Sequence, residues 1–348
     1  MYYFDSHVHF RDFEEAYKET IKHGLEVARD SGLVAVGDMP NKFRSVTTEE
    51  RALECIKIAR EADVPEVFYG IYLGATANPE QLKRAVAAYR KIDQILGIKL
   101  YAGHSVGKLG VTREEDQLMV YQTLAEEEFN GVLVDHCEKE LHLDSTLWNP
   151  QQPVSHCFAR PEYAEIESVR DQLRLSKQAG FKGKLHVAHI SSPAAVDLVV
   201  EAKAEGRDIS CGICPHHFIY DWSKMSDENG LLWKMNPPLR EPQSRDKIFQ
   251  YLREGKIDWI ETDHAPHSLT EKKEHPFMSG IPGLAWWPLF EEYLRQHNFT
   301  DKQIERLTFS NALERFGLDL KLNGRMIRDR RSDYPFDPYS KIAAELRW

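Results

Sequence analysis

Short runs of apolar and β-branched residues alternate along this chain with longer stretches in which apolar positions recur every three or four residues. The short runs predict strands near Tyr3–His9, Leu33–Met39, Val67–Leu73, Ile95–Tyr101, Val132–Cys137, Leu185–Ile190, Ile209–Cys214 and Ile257–Thr262. The amphipathic stretches predict helices over Glu14–Ser31, Thr48–Ala62, Pro79–Ile92, Arg113–Glu128, Pro161–Ala179, Pro193–Glu205, Pro242–Arg253 and Leu284–His297. Gly32 and Gly180 stand where C-caps belong, Thr47 and Ser192 where N-caps belong, and Pro193 where a first-turn proline is tolerated. Eight strand–helix units in sequence, without a break in composition, predict an α/β fold: a parallel sheet closed into a (β/α)8 barrel. An open doubly wound sheet is the alternative, but it would gather its ligand residues at one switch point. The barrel is expected over residues 1–317, with 318–348 as a C-terminal tail packed on it.

Composition narrows the function classes. A chain of 348 residues, 42% hydrophobic and 29% charged, suits one soluble barrel. Its formal charge of −10 argues against a nucleic-acid partner, which needs clustered Lys and Arg. It leaves room for an anionic small-molecule substrate, because charge at a site can oppose the net sign. No run approaches the roughly 18–20 apolar residues of a membrane span, and no basic-then-apolar leader opens the chain, so no membrane partner is expected. The five cysteines, Cys55, Cys137, Cys157, Cys211 and Cys214, are scattered and odd in number. That pattern fits a reducing compartment, and the cytoplasm is the expected location. Cys211-x-x-Cys214 has no second pair and reads as buried small residues.

In a barrel, catalytic groups sit at the C-terminal ends of the strands. His7 and His9 end the first predicted strand, Asn41 follows the second, Lys99 lies near the end of the fourth, and His136 and His189 end the fifth and sixth. Cys214-Pro215-His216-His217 follows the seventh, and Asp263-His264-Ala265-Pro266-His267 the eighth. Side chains two apart on a strand share a face, so His7 and His9 can converge on one cation. Asp263 is the anionic ligand such a site wants, and it can serve as general base. His136 and His189, on neighbouring strands, can hold a second metal. His186, three residues before His189, has the opposite strand parity and is expected to face the helices. An unmodified Lys99 would be repelled by a cationic centre. Either its amine takes up carbon dioxide to become a bridging carbamate, or it points elsewhere and pairs with an acidic residue. Arg11 continues the parity of His7 and His9, a placement that fits a carboxylate-bearing substrate.

Taken together these residues resemble the dihydroorotases of the amidohydrolase superfamily. The matching segments are His7-Val8-His9-Phe10-Arg11, Asp38-Met39-Pro40-Asn41, Ile98-Lys99-Leu100-Tyr101, His136-Cys137-Glu138, Ala159-Arg160-Pro161 and His186-Val187-Ala188-His189-Ile190-Ser191. They continue with Cys214-Pro215-His216-His217, Asn236-Pro237-Pro238-Leu239-Arg240, Thr262-Asp263-His264-Ala265-Pro266-His267 and Gly280-Ile281-Pro282-Gly283. The resemblance implies two Zn2+ ions per subunit. His7, His9 and Asp263 would bind the buried one, His136 and His189 the more exposed one, with Lys99 bridging both as a carbamate. It implies that Arg11, Asn41 and His267 grip the substrate's carboxylate, that His9 and Asn236 also contact substrate, and that Ser279 and Gly280 belong to a loop closing over the ring. His216 and His217 match a family motif but no ligand position.

The implied reaction is reversible hydrolysis of (S)-dihydroorotate to N-carbamoyl-L-aspartate in de novo pyrimidine (UMP) biosynthesis. A metal-bridging hydroxide would attack, with Asp263 as general acid/base. Allantoinases resemble Met-Pro-Leu-Asn where this chain has Met39-Pro40-Asn41, and lack Arg two residues past the second His; dihydropyrimidinases need no carboxylate clamp. A relative that had lost activity would have lost ligands, and every ligand position is filled here. The β-sandwich of many members is expected to be absent or vestigial, with Ser332-Asp333-Tyr334-Pro335-Phe336 resembling the family's C-terminal segment. A homodimer and association with other enzymes of the pyrimidine pathway are further expectations.

Overall fold

The structure is a computed structural model that describes residues 1–105, 107–322, 324–325 and 327–348. Its first half runs β1 (Tyr3–Val8), α1 (Ile21–Asp30), β2 (Leu33–Asp38), α2 (Glu49–Glu61), β3 (Phe68–Gly74), α3 (Pro79–Lys91), β4 (Ile95–Tyr101), α4 (Glu114–Glu126) and β5 (Val132–His136). It continues with α5 (Ser155–Ala159), α6 (Glu162–Gln178), β6 (Lys184–Val187), α7 (Pro193–Ala204), β7 (Ile209–Ile213), α8 (Pro215–Ile219), α9 (Pro242–Arg253) and β8 (Trp259–Ile260). After β8 come α10 (Leu269–Lys273), α11 (Trp287–Gln296), α12 (Asp301–Glu305), α13 (Asn311–Phe316) and α14 (Ser340–Glu345).

The strands pair in chain order, each parallel to the next, from β1 to β8. A parallel bridge from Val8 to His264, with the His9 amide donating to the His264 carbonyl at 2.8 Å, brings the last segment back to the first. This is the expected (β/α)8 barrel. Most of its strands are buried on both faces, which is why they read in sequence as continuous apolar runs rather than as alternation.

Several boundaries moved for local reasons. The first predicted helix does not start at Glu14. The Thr20 side chain caps α1 by accepting from the His23 amide, while Glu15 turns away to bind Lys18 and the Phe43 amide. The cap of α2 is Thr48, accepting from Arg51, rather than Thr47. Ser192 caps α7 as expected, and Gly32 and Gly180 adopt the left-handed conformation at helix ends. The strands β6 and β8 stop short because the chain turns into left-handed conformations at His189 (φ 39°) and Asp263 (φ 50°). Of the loop at 106–111, Val106 lies outside the described residues, and the Val111 amide ties the loop back to the Tyr101 carbonyl at 2.8 Å.

The N-terminal end of the barrel is closed by apolar packing. Phe4, Tyr72 and Trp259 each meet Phe316 of α13 edge to face, with ring centroids 5.7, 6.0 and 6.1 Å apart. In the tail, Tyr334 and Tyr339 are buried against Trp286, and the Tyr334 hydroxyl donates to Glu19 at 3.0 Å. All five cysteines are buried and free, as read for Cys211 and Cys214. Among the described residues, no helix is long and apolar enough to cross a membrane.

Candidate active site

The C-terminal end of the barrel collects the histidines, and β1 does so through an irregularity. Asp5 pairs with Val36 and Val8 with Asp38, so three steps on β1 oppose two on β2. This extra residue is a bulge that turns the strand. Ser6 consequently reaches the barrel interior, hydrogen-bonding Glu261, while His7 and His9 enter the mouth. His7 Nε2 and His9 Nε2 lie 3.3 and 2.7 Å from Asp263 Oδ1. Ligand atoms of His7, His9 and Asp263 all fall within 4.8 Å of one another, a spacing that one cation can span. Across the mouth, His136 Nδ1 and His189 Nε2 are 3.1 Å apart, and the His7 and His189 rings, 5.0 Å between centroids, join the two groups.

Polar neighbours of the imidazoles favour tautomers that suit metal binding. His9 Nδ1 faces Asn41 Oδ1 at 2.7 Å, which leaves Nε2 with its lone pair toward Asp263. His136 Nε2 faces Glu138 Oε2 at 3.1 Å, which leaves Nδ1 toward His189. Glu138 is itself held by Arg160, whose guanidinium keeps its carboxyl below the ordinary range in spite of burial. Burial drives the imidazoles neutral: His7 falls to about 4, and His9 and His189 fall well below their usual value. Neutral imidazoles are the form that ligates a metal. Burial raises the Asp263 carboxyl, so a carboxylate there is short of positive charge.

Lys99 is buried on β4, and its Nζ has no hydrogen-bond partner among the described residues. Burial lowers its pKa to about 8. Pairing with an acidic side chain, one of the two roles the sequence left open for it, is therefore not seen.

A small recess opens above these groups. Arg11, Asn41, Asn236, Ser279 and Gly280 line it together with His7, His9, His136, His189 and Asp263. Arg11 is 1% exposed; its NH1 donates to the Asn41 carbonyl at 3.2 Å, and its Nε has no partner among the described residues. Asn236 Oδ1 accepts from His156 Nε2 at 3.0 Å, and Ser279 Oγ accepts from Lys234 Nζ at 2.8 Å. Gly280 has φ 136°, and a Cβ there would lie 2.6 Å from the Ala265 carbonyl oxygen. His267 is buried beside the recess but does not line it; its Nε2–H donates to the Ser279 carbonyl at 3.0 Å.

Over 342 residues the chain is 30% identical to a dihydroorotase of Methanosarcina mazei, an alignment spanning 92% of this chain and 71% of that one. The chain belongs to the dihydroorotase family. A second dihydroorotase, from Lactobacillus gasseri, is 30% identical over 271 residues, 77% of this chain; the chain spans 61% of that relative's length. An allantoinase of Escherichia coli is 26% identical over 352 residues, 95% of this chain and 74% of its own. The relatives are thus hydrolases of cyclic amides with different substrates. No protein-family model matches the chain. Two solved structures share the fold. An L-hydantoinase from Arthrobacter aurescens superposes with a TM-score of 0.79 at 23% identity, covering 90% of this chain and 70% of that one. The dihydroorotase from Saccharomyces cerevisiae, in complex with 5-fluoroorotic acid, gives 0.72 at 17% identity, covering 91% and 84%.

In this member of the dihydroorotase family, strand parity misplaced one residue and overlooked three. His186 does not face the helices. It is buried inside the barrel, stacked on Trp259 with ring centroids 4.2 Å apart and 3.3 Å from Glu261 Oε2. Counting by twos from His186 fails because the regular strand ends at Val187 and the chain flips at His189. Tyr101 and Ser105 line the recess, Tyr101 with a buried hydroxyl that has no partner among the described residues. Tyr101 shares the parity of Lys99, so its position was readable. Glu261, two residues before Asp263, is legible in the sequence as a charge inside an apolar strand.

Proposed function

We propose that this chain catalyses the reversible hydrolysis of (S)-dihydroorotate to N-carbamoyl-L-aspartate, the ring-closing direction serving de novo pyrimidine (UMP) biosynthesis. Arg11 carries this reading. A guanidinium buried at the recess wall without a full set of partners is costly unless a ligand completes it, and a carboxylate does so bidentately. Dihydroorotate carries that carboxylate, whereas allantoin and dihydrouracil have none.

The donor set of imidazole nitrogens and one carboxylate suits zinc. His7, His9 and Asp263 would hold one ion, and His136 and His189 the second. Lys99, with a pKa of about 8, presents enough neutral amine at physiological pH to add carbon dioxide with release of a proton, and the resulting carbamate would be an anionic ligand for the pair. When bound, such a metal pair lowers the pKa of a water and polarises the amide carbonyl. Asp263 lies beside His7 and His9 at the recess, where it can take a proton from the attacking water and return it to the leaving amide nitrogen. Arg11 and Asn41 hold the ring by its carboxylate in the recess that Asp263 also lines, and Asn236, Ser279 and Gly280 line the same recess.

The test is turnover of dihydroorotate, allantoin and dihydrouracil, with metal content, on one purified sample. Turnover of dihydroorotate by protein containing two zinc ions per chain is expected. Hydrolysis of allantoin with none of dihydroorotate would overturn the substrate.

A further inference from the structure

Beneath the proposed metal ligands lies a buried carboxylate to which the reaction gives no step. Glu261 is fully buried, and its two oxygens face four groups. Oε2 accepts the Ser6 hydroxyl at 2.9 Å and lies 3.3 Å from His186 Nε2. Oε1 accepts the backbone N–H of His189 at 2.6 Å and lies 3.7 Å from His7 Nδ1, beyond hydrogen-bond range.

The surrounding strands are shaped around this group. The Trp259 indole N–H donates to Ser6 Oγ at 2.9 Å, which commits the Ser6 proton to Glu261. His186 pairs with Ser210 Oγ at 3.0 Å through its other nitrogen. Gly212 on β7 leaves the space open, since a Cβ there would lie 2.6 Å from the Glu261 carboxyl carbon. Burying a carboxylate costs several kcal/mol unless its surroundings compensate it. Here the compensation comes from Ser6, His186 and the His189 backbone, and the carboxylate also faces His7, so it touches residues of both candidate metal groups.

We propose that Glu261 is the positioning residue of the site. It presents the acceptor that His7 Nδ1–H faces, so that Nε2 turns to the cation. It also pins the left-handed backbone of His189, which aims that ring at His136. Its negative charge, shared by both pairs, lies under the cation cluster. This inference rests on the reading of the His and Asp cluster as a divalent-metal site.

The test is a Co2+ titration of chelator-treated wild type and Glu261→Gln, followed by visible absorption, with thermal unfolding of both metal-free proteins measured alongside. Carboxylates behind metal-bound histidines are worth roughly 10–100-fold in metal affinity, so a loss of that size is expected. Because hydrogen bonds from Ser6 and the His189 backbone compensate the carboxylate, the metal-free variant should be no more stable than metal-free wild type; lost stability with Co2+ affinity unchanged is the purely structural outcome. Co2+ affinity within twofold of wild type would overturn the proposal. Should Glu261→Gln fail to fold, Ser6→Ala loosens the carboxylate while keeping its charge. A several-fold weaker Co2+ affinity would then support the proposal, and an unchanged one would overturn it. Wild type that binds no Co2+ would overturn the metal reading as well, whereas equal binding by both proteins removes only the role of Glu261.

Discussion

At the N-terminal end of the barrel, Phe4, Tyr72 and Trp259 close on Phe316 ring against ring. At the C-terminal end, His7 Nδ1, Arg11 Nε, Lys99 Nζ and the Tyr101 hydroxyl are all buried without a hydrogen-bond partner among the described residues. A buried polar atom left unpaired costs roughly 1–3 kcal/mol. Such atoms gathered at one end are tolerable only because the other end and the helical layer supply packing. The comparison separates two kinds of residue: those whose loss lowers stability with chemistry unchanged, and those whose loss lowers activity while stability holds or rises.

Asp263→Asn should give the largest effect. An amide cannot shuttle a proton, so kcat on dihydroorotate should fall by about ten-thousandfold. Thermal unfolding should move little, because burial already disfavours the charge on Asp263. Steady-state kinetics beside calorimetry check both halves, and turnover within tenfold of wild type would remove Asp263 as the base. Phe4→Ala is the mirror image at the opposite end. Phe4 is fully buried, and emptying its place should cost about 4 kcal/mol of stability while kcat stays within twofold. Denaturant unfolding measures the first and the standard assay the second. A matching collapse of kcat would mean the two ends are mechanically coupled.

How much of this was legible in the sequence follows the same division. The barrel was readable because parallel strands buried on both faces leave unmistakable apolar runs. The helices were readable because 12 to 17 residues, as in α7 and α6, give several periods of amphipathic repeat. Five-residue helices such as α5, α8 and α10 give barely one turn and left no signal. At the mouth, parity counting put His7, His9 and Arg11 together although it could not see the bulge in β1 that turns Ser6 inward as well. It failed for His186 because the backbone changes hand at His189, a property of tertiary fit that no period of two encodes. His267 was drawn to the recess by family resemblance; its Nε2 is taken by the Ser279 carbonyl, while its Nδ1 has no hydrogen-bond partner among the described residues.

Arg11→Met sharpens the comparison at intermediate size. Losing charge-assisted hydrogen bonds to a carboxylate costs about 2 kcal/mol, so KM for dihydroorotate should rise about thirtyfold with kcat changed less. The melting temperature should hold or rise, because an incompletely paired buried cation is replaced by an apolar side chain of similar length. An unchanged KM would contradict the carboxylate clamp, and a large drop in melting temperature would recast Arg11 as structural.

The smallest effect tests a region between the two ends, where the tail docks on the loop after β8. The Glu19 carboxylate is buried and receives the Tyr334 hydroxyl at 3.0 Å, His23 Nδ1 at 2.9 Å and His264 Nε2 at 2.7 Å. Burial raises its pKa, but His264 and then His23 more than offset this and bring it down to about 2. A carboxyl depressed in the folded state stabilises the protein above its unfolded pKa, and that stability is lost as pH falls through the folded value. Tyr334→Phe deletes one donor to the ionised form and should cost about 1 kcal/mol at neutral pH. The unfolded pKa is common to both proteins and cancels, so the gap between wild type and variant should stay constant through mildly acidic pH and shrink only as pH falls toward the folded value near 2, where Glu19 becomes protonated in both. Unfolding free energies at a series of pH values check this. A gap independent of pH would mean that Tyr334 stabilises the tail by packing against Trp286 and His264 rather than through the carboxylate.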